Sequence, residues 1–317
     1  MSTWDPSSTA VIYNPAAANG RVGQDWPRHE AAIRAALGNV RTYGTRSQGD
    51  GMVRAQEAVK AGCRTLLSMG GDGTHNEVVN GMMRSGCDDP LTLGILPAGT
   101  GGDFRRLLQH GGSSDEMLRA LPTAKRSPLD LGKATYKADS GEREERWFVN
   151  LANFGIGGLV DRKVNGSSKR LGGKASFYIG TLKALAEYKP AEIRLTVDGS
   201  EVGTFKVTNI AVCNGRFAGG GMMFAPTARL GDGIFEVIVL QDGPLHQTLG
   251  MTMTIYKGEH LSSPLVKSFR GRHVLAETVT ENPAWLDLDG EAPGILPLEA
   301  ELVPKALWLL DVMEGAE

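Results

Sequence analysis

With 317 residues, 41% of them hydrophobic, the chain is long enough for two domains and apolar enough to give each a core. Its formal charge of −2 lacks the excess of Lys and Arg that a phosphodiester backbone demands, so no nucleic acid is expected as a partner. Three cysteines, Cys63, Cys87 and Cys213, without CxxC or His-rich spacing, a start (MSTWDPSSTA) unlike a signal peptide, and no run near the ~20 apolar residues of a membrane span predict a protein of the reducing cytoplasm.

Residues 1–128 alternate strand and helix signals. TAVIYNP reads as a short buried strand ended by Pro15, and WPRHEAAIRAALG as a helix with Ala31, Ile33 and Leu37 on its apolar side and Gly38 as its stop. VRTYGT is a second strand, GDGMVRAQEAVKAG a second helix and RTLLSMG a third strand. THNEVVNGMMRSG is a helix opened by Thr74, LTLGILPAG a fourth strand, and TGGDFRRLLQ a further helix. This alternation predicts a parallel sheet covered on both faces. Ligands of such sheets bind outside the carboxyl ends of the strands, where the loops at Asn14, Gly70 and Pro97 fall.

From residue 129 the pattern becomes strand after strand: SPLDLGKATYKA, ERWFVNLANFGIG, EIRLTVDG, GTFKVTNIAVCNG, GIFEVIVLQ, RHVLAETV, AWLDLDGE and PLEAELVPKALWLL. One helix, around Lys174–Tyr188, interrupts them. Residues 129–302 therefore read as an all-β sandwich or barrel with one inserted helix, a β-sandwich being the expectation, while 303–317 are a candidate to return to the first domain. The class is α/β plus all-β.

The stretch MGGDGTHNEVVNG, Met69–Gly81, places glycines and one carboxylate at the end of a buried strand. Successive glycines turn backbone N–H groups toward an anion, and the following helix adds its positive end. Asp72 in such a loop would repel phosphate unless a cation or a substrate-orienting role involves it; a plain tight turn capped by Thr74 is the alternative. LPAGTGGDF (Leu96–Phe104) repeats the arrangement after the next strand, and NPAAANGR (Asn14–Arg21) follows the first. Three such loops on one sheet edge favour nucleotide phosphates. Two near matches are set aside: GIGGLV lacks the third glycine of a dinucleotide fingerprint, and SKRLGGKAS is not a Walker loop. His75 reads as a helix-start residue only.

NPAAANGR, GGDGTHNEVVNG, LPAGTGGDF, GGGMMFAPTARLGDGIFEV and LDLDGE, in this order and spacing, resemble the diacylglycerol kinase catalytic-domain family of lipid kinases, which includes sphingosine kinases and bacterial soluble lipid kinases. The resemblance spans Ala10 to Leu310. It implies an N-terminal parallel-sheet α/β domain of the phosphofructokinase or NAD kinase type, a C-terminal antiparallel β-sandwich domain, and an active site in the cleft between. It also implies that Gly70, Gly71, Asp72, Gly73 and Thr74 bind ATP phosphates, with Asn14 and Thr45 near the nucleotide. Glu77 follows at the helix start, Thr100 and Asp103 match the second loop, and Asp130 matches an acidic position of the metal network. Where the family has Asn before the aspartate of the second loop, this chain has Gly102, so an orienting amide is missing.

ARLGDGIFEV resembles the family's structural Mg²⁺ site, which implies Asp232 with the carbonyls of Arg229 and Ile234 as all-oxygen ligands; read locally, the same residues form an ordinary hairpin turn. In LDLDGE the resemblance selects Asp289 as general base and Glu291 as a nucleotide or metal contact, whereas the local reading of Asp289 is a turn residue before Gly290. Asp287, two residues earlier, is expected on the same side. The helix KASFYIGTLKALAEYK, with Phe177, Leu182 and Leu185 beside the basic DRKVNGSSKR, suits either docking on anionic lipid heads or cover of a core. Phe217, Met222, Met223 and Phe224 suit acyl chains or a core equally.

The expected activity is ATP-dependent transfer of phosphate to a lipid hydroxyl, diacylglycerol by default, at the inner face of the membrane. Asp289 takes the proton, Mg²⁺ and the Gly70–Thr74 loop hold the triphosphate, and Asp72, Asp103 and Asp130 organise metal and water. A soluble-metabolite kinase of the NAD kinase type and a catalytically silent nucleotide-binding protein are the alternatives. The lipid's identity and assembly as a homodimer stay open.

Overall fold

The computed structural model describes residues 4–98, 102–108, 114–165 and 188–311. The chain divides into two compact units, Met1–Leu131 with Pro304–Glu317, and Gly132–Val303.

Unit 1 is built from β1 (Thr9–Tyr13), α1 (Arg21–Gln24), α2 (Trp26–Leu37), β2 (Arg41–Gly44), α3 (Asp50–Lys60), β3 (Thr65–Gly70), α4 (Asp72–Met83), β4 (Thr92–Pro97), α5 (Asp103–Leu107) and α6 (Ser114–Ala120). Its strands lie in the order β2-β1-β3-β4, all parallel. Trp308 and Leu309, from the last strand of the chain, add a fifth parallel partner beside Thr92 and Leu93 of β4. Every residue of β3 and β4 is buried, as expected for strands covered on both faces. Val11, Leu67, Met69 and Leu96 pack with Ile33 and Leu37 of α2 and Met117 and Leu118 of α6 in one core. Alternation along β3 sends Ser68 the opposite way, toward His75 of α4. The helix expected to open at Thr74 begins at Asp72, and α6 is an element the sequence pattern did not reveal.

Unit 2 takes in β5 (Lys125–Ala138), β6 (Arg143–Phe148), β7 (Leu151–Gly155), α7 (Ile156–Asn165), β8 (Ala191–Val197), β9 (Ser200–Cys213), β10 (Phe217–Ala218), β11 (Met222–Met223), β12 (Phe235–Gln241), α8 (Leu245–Ile255), β13 (Val266–Gly271), β14 (His273–Thr278), β15 (Trp285–Leu288) and β16 (Glu291–Asp311). The chain passes between the units within β5 and again within β16.

The expected sandwich of two separate sheets is corrected here. Antiparallel pairing runs β9–β7–β15–β16–β14–β8 and back to β9, which closes a barrel. The reason is strand length. β9 has 14 residues and β16 has 21, against a usual ~5–6. β9 therefore pairs β8 along Ser200–Val207 and β7 along Asn209–Cys213. β16 pairs β15 up to Ile295 and β14 from Leu298. Two long strands thus join what would otherwise be two sheets, a corner device known from orthogonal sheet packings. Phe148, Phe154, Ile193, Ile210, Leu286 and Leu298 fill the interior.

ERWFVNLANFGIG, read as one strand, is two: β6 and β7 are separated by Val149 and Asn150, and α7 starts at Ile156. α7 and α8 were invisible because GIGG and TLGMTMT are weak helix formers that tertiary packing overrides. The helix expected around Lys174–Tyr188 lies, apart from Tyr188, outside the described residues.

Phe154 is fully buried in the barrel. Phe154→Ala should lower the unfolding free energy by ~3–5 kcal/mol in a denaturant titration; a loss under ~1 kcal/mol would contradict the packing described.

Candidate functional site

In unit 1 the chain leaves the parallel strands along one edge, and backbone hydrogen bonds align the departing segments. Asn14 N–H donates to Met69 O at 2.9 Å, Thr45 N–H to Tyr13 O at 2.9 Å, and Ala98 N–H to Gly70 O at 3.3 Å. The loops after β1, β2, β3 and β4 therefore stand side by side. Asn14 Nδ2 donates to Thr74 Oγ1 at 3.2 Å, while its Oδ1 accepts from Ala16 N–H at 2.9 Å. Gly70 is required by this approach, since a Cβ there would lie 2.5 Å from Thr74 Oγ1. Asn14, Gly70 and Thr74 are thus brought together. Thr45 is buried beside Tyr13. Thr100 lies outside the described residues.

Three helices, α3, α4 and α5, begin at this edge, and two of their starts are occupied by carboxylates of α4. Asp72 Oδ2 accepts Asp103 N–H at 2.9 Å and Oδ1 accepts Phe104 N–H at 3.2 Å, at the start of α5. Glu77 Oε1 accepts Gly49 N–H at 2.7 Å and Oε2 accepts Gly51 N–H at 2.9 Å, at the start of α3. Asp72 and Glu77, expected on the nucleotide, are in the structure the ties between neighbouring loops. Burial pushes the Asp72 carboxyl above the usual carboxylate range, opposed by the two N–H donors and Arg106.

The first turn of α4 has no side-chain cap, and a Cβ at Gly71, its N-cap, would meet only open space. The N–H groups that a helix start leaves outside its own ladder can receive an anion, and here the helix has 12 residues. The missing amide at Gly102 has a backbone correlate: φ there is +142°, a region that L side chains rarely adopt.

His75 lies inside this construction. It is 4% exposed, and its Nδ1 is 2.8 Å from Ser68 Oγ. Burial lowers its pKa to about 4, so it is neutral near pH 7. Neither its burial nor its partner was legible from the loop sequence.

In unit 2, Asp289 opens the two-residue turn between β15 and β16 with φ +51°, followed by Gly290 at +89°. Its carboxylate accepts three consecutive backbone N–H groups: Val149 to Oδ2 at 2.7 Å, Asn150 to Oδ1 at 2.9 Å and Leu151 to Oδ1 at 3.0 Å. Both the turn reading and a held, oriented carboxylate are therefore true of this residue. Glu291 follows the turn and pairs with Leu288. Asp287 does not share Asp289's surroundings; it is buried and hydrogen-bonded to Asn153 Nδ2. Asn153, Asn209 and Asp287 form a buried polar patch that sequence reasoning missed. Its signal was there, as single polar residues within the apolar runs LANF, TNIAV and WLDL.

The residues expected to hold metal each have protein partners in the structure. Asp103 Oδ1 is ion-paired with Arg106 at 2.9 Å. Asp130 is buried and its Oδ1 accepts Lys305 N–H at 2.7 Å. Asp232 Oδ1 accepts Ile234 N–H at 3.3 Å, and its Oδ2 is 3.5 Å from Arg270 Nη2. Arg229 is exposed. A turn closed by its own aspartate, with a guanidinium beside it, is the arrangement around Asp232. Among the described residues no three His, Cys, Asp or Glu side chains converge on a metal position, and no helix is long and apolar enough to cross a membrane.

Two family models match the chain. One, described as a diacylglycerol kinase catalytic domain, matches residues 8–134; the other, described as a YegS C-terminal NAD kinase beta sandwich-like domain, matches residues 150–311. A Chromohalobacter salexigens protein named "Probable lipid kinase YegS-like" is 32% identical over 87% of this chain and 88% of its own. A Bacillus subtilis protein named diacylglycerol kinase is 29% identical over 97% of each. A crystal structure of a diacylglycerol kinase from Bacillus anthracis superposes with TM-score 0.68 at 20% identity, covering 96% of both chains, and attests the fold.

Because the folded pKa of His75 lies below the ordinary value of 6.5, its stabilisation is complete above pH ~6.5 and is lost as pH falls toward 4. His75→Asn should flatten the stability–pH curve between about pH 6.5 and 4 relative to wild type, in urea unfolding at stepped pH. Parallel curves for the two proteins would contradict a buried neutral imidazole.

Proposed function

The chain belongs to the diacylglycerol kinase catalytic-domain family and is a phosphotransferase with an alcohol acceptor; from that premise we propose that it transfers the γ-phosphate of ATP to a lipid hydroxyl, with diacylglycerol the default acceptor. The observation that carries the reading is the uncapped first turn of α4, open at Gly71 while its own Asp72 and Glu77 serve the neighbouring helix starts. That division leaves the positive end of α4 where a triphosphate can be received.

In the proposed reaction the lipid oxygen forms a bond to the γ-phosphorus, the bond from that phosphorus to the β–γ bridging oxygen breaks, and ADP leaves. Asp289 accepts the hydroxyl proton. Phosphoryl transfer asks mainly for positioning and charge stabilisation, and the N–H groups of Val149, Asn150 and Leu151 hold the Asp289 carboxylate in one orientation. Mg²⁺, bound together with ATP, would neutralise charge on the phosphates during transfer. The protein works in the cytoplasm at the inner membrane face, where its acceptor lies.

The test is transfer from γ-labelled ATP to a total lipid extract, with identification of the labelled product. A labelled phospholipid that comigrates with phosphatidic acid is expected, abolished by chelation and restored by Mg²⁺; label confined to water-soluble acceptors would refute the lipid reading. Asp289→Asn should cut kcat by ~100-fold or more while ATP affinity changes little, and wild-type turnover in this variant would remove Asp289 as the base.

A further inference from the structure

Asp287 is a carboxylate that a barrel strand has no packing reason to contain. It is 4% exposed, and so is Asn153. The two stand directly opposite in the β7–β15 register. Their neighbours Ala152, Phe154, Leu286 and Leu288 fill the interior, so alternation turns Asn153 and Asp287 to the outer face. There they are covered by the start of α7, where Gly157 N–H donates to Asn209 Oδ1 at 3.1 Å and the Asn153 side chain leaves no room for a Cβ at Gly157. Burying a carboxylate is costly unless its oxygens are satisfied.

Both oxygens of Asp287 are used toward one end. Oδ2 accepts the Asn153 amide, and Oδ1 accepts Gly290 N–H at 2.6 Å. Gly290 is the second residue of the turn that carries Asp289, and both turn residues have positive φ. Asp289 N–H donates to Leu151 O at 3.1 Å, while the Asp289 carboxylate is held from the Val149–Leu151 segment. The turn is therefore braced on one side by Leu151 and its neighbours and on the other by the Asn153–Asp287 pair.

We propose that Asn153 and Asp287 are positioning residues for Asp289: their hydrogen-bonded pair fixes the left-handed turn and so the direction in which the Asp289 carboxylate points. The pair touches no substrate and acts only through the turn. This inference rests on the reading of Asp289 as the proton acceptor.

The experiment exchanges the two partners. N153D sets two buried carboxylates against each other and should lower kcat by ~10- to 100-fold, with KM for ATP within about twofold of wild type. D287N/N153D restores one amide and one carboxylate in swapped positions and should recover most of the lost kcat. A purely structural pair would move melting temperature without this rescue of turnover. Folded N153D with wild-type kcat, or a swap that restores melting temperature and leaves kcat depressed, overturns the proposal. If N153D does not fold, N153A takes its place: kcat should fall in the wild-type background and fall no further on D289N, and equal losses in both backgrounds overturn the proposal. Wild-type turnover by D289N would instead refute the base assignment, whereas an inactive D289N beside an unaffected N153D refutes the pair alone.

Discussion

Two carboxylates on one helix organise the nucleotide-type edge of unit 1. Asp72 and Glu77 sit on α4 and accept backbone N–H groups at the starts of α5 and α3 respectively. Each satisfies donors that a helix start otherwise leaves to water, and each is favoured by the positive end of the helix that it caps. The result joins three successive βα crossovers through side chains of the middle one. Those ties add to the backbone bonds between the departing segments and to the Asn14–Thr74 contact.

The same two bonds explain which helix start remains available. An anion binder needs uncommitted N–H groups, yet a fold benefits from capping every helix. Here α3 and α5 are capped from α4, while the N-cap of α4 itself is Gly71, which has no side chain with which to cap. Asn14 contributes by bonding Thr74 rather than the backbone of the turn, and the absence of a Cβ at Gly70 lets that threonine lie against the end of β3. Buried His75, held neutral behind the loop, adds no charge to it near pH 7.

Unit 2 uses backbone donors in the same way, to hold a carboxylate. Three consecutive N–H groups between β6 and β7 hold the Asp289 carboxylate, and a left-handed turn sets its direction. β7 and β15 are hydrogen-bonded neighbours in the barrel, flanked by the long strands β9 and β16. Residues 149–151 and 287–290, far apart in sequence, are thereby placed within hydrogen-bonding distance.

The amino-acid sequence by itself determined the alternation of unit 1, the strands of unit 2 and the positions of the glycine loops, because periodicity, β-branched runs and turn residues act locally. Asp289 and Asn14 were singled out by the resemblance of their motifs to the family; read locally, Asp289 was a turn residue. Only the tertiary structure decided what the polar side chains do. That Glu77 meets Gly51, Asp130 meets Lys305 and Asp287 pairs with Asn153 depends on partners 26 to 175 residues away. Barrel closure was likewise decided in three dimensions. A strand's length can be read from its own residues, but the change of partner halfway along β9 and β16 is a property of the strands beside them.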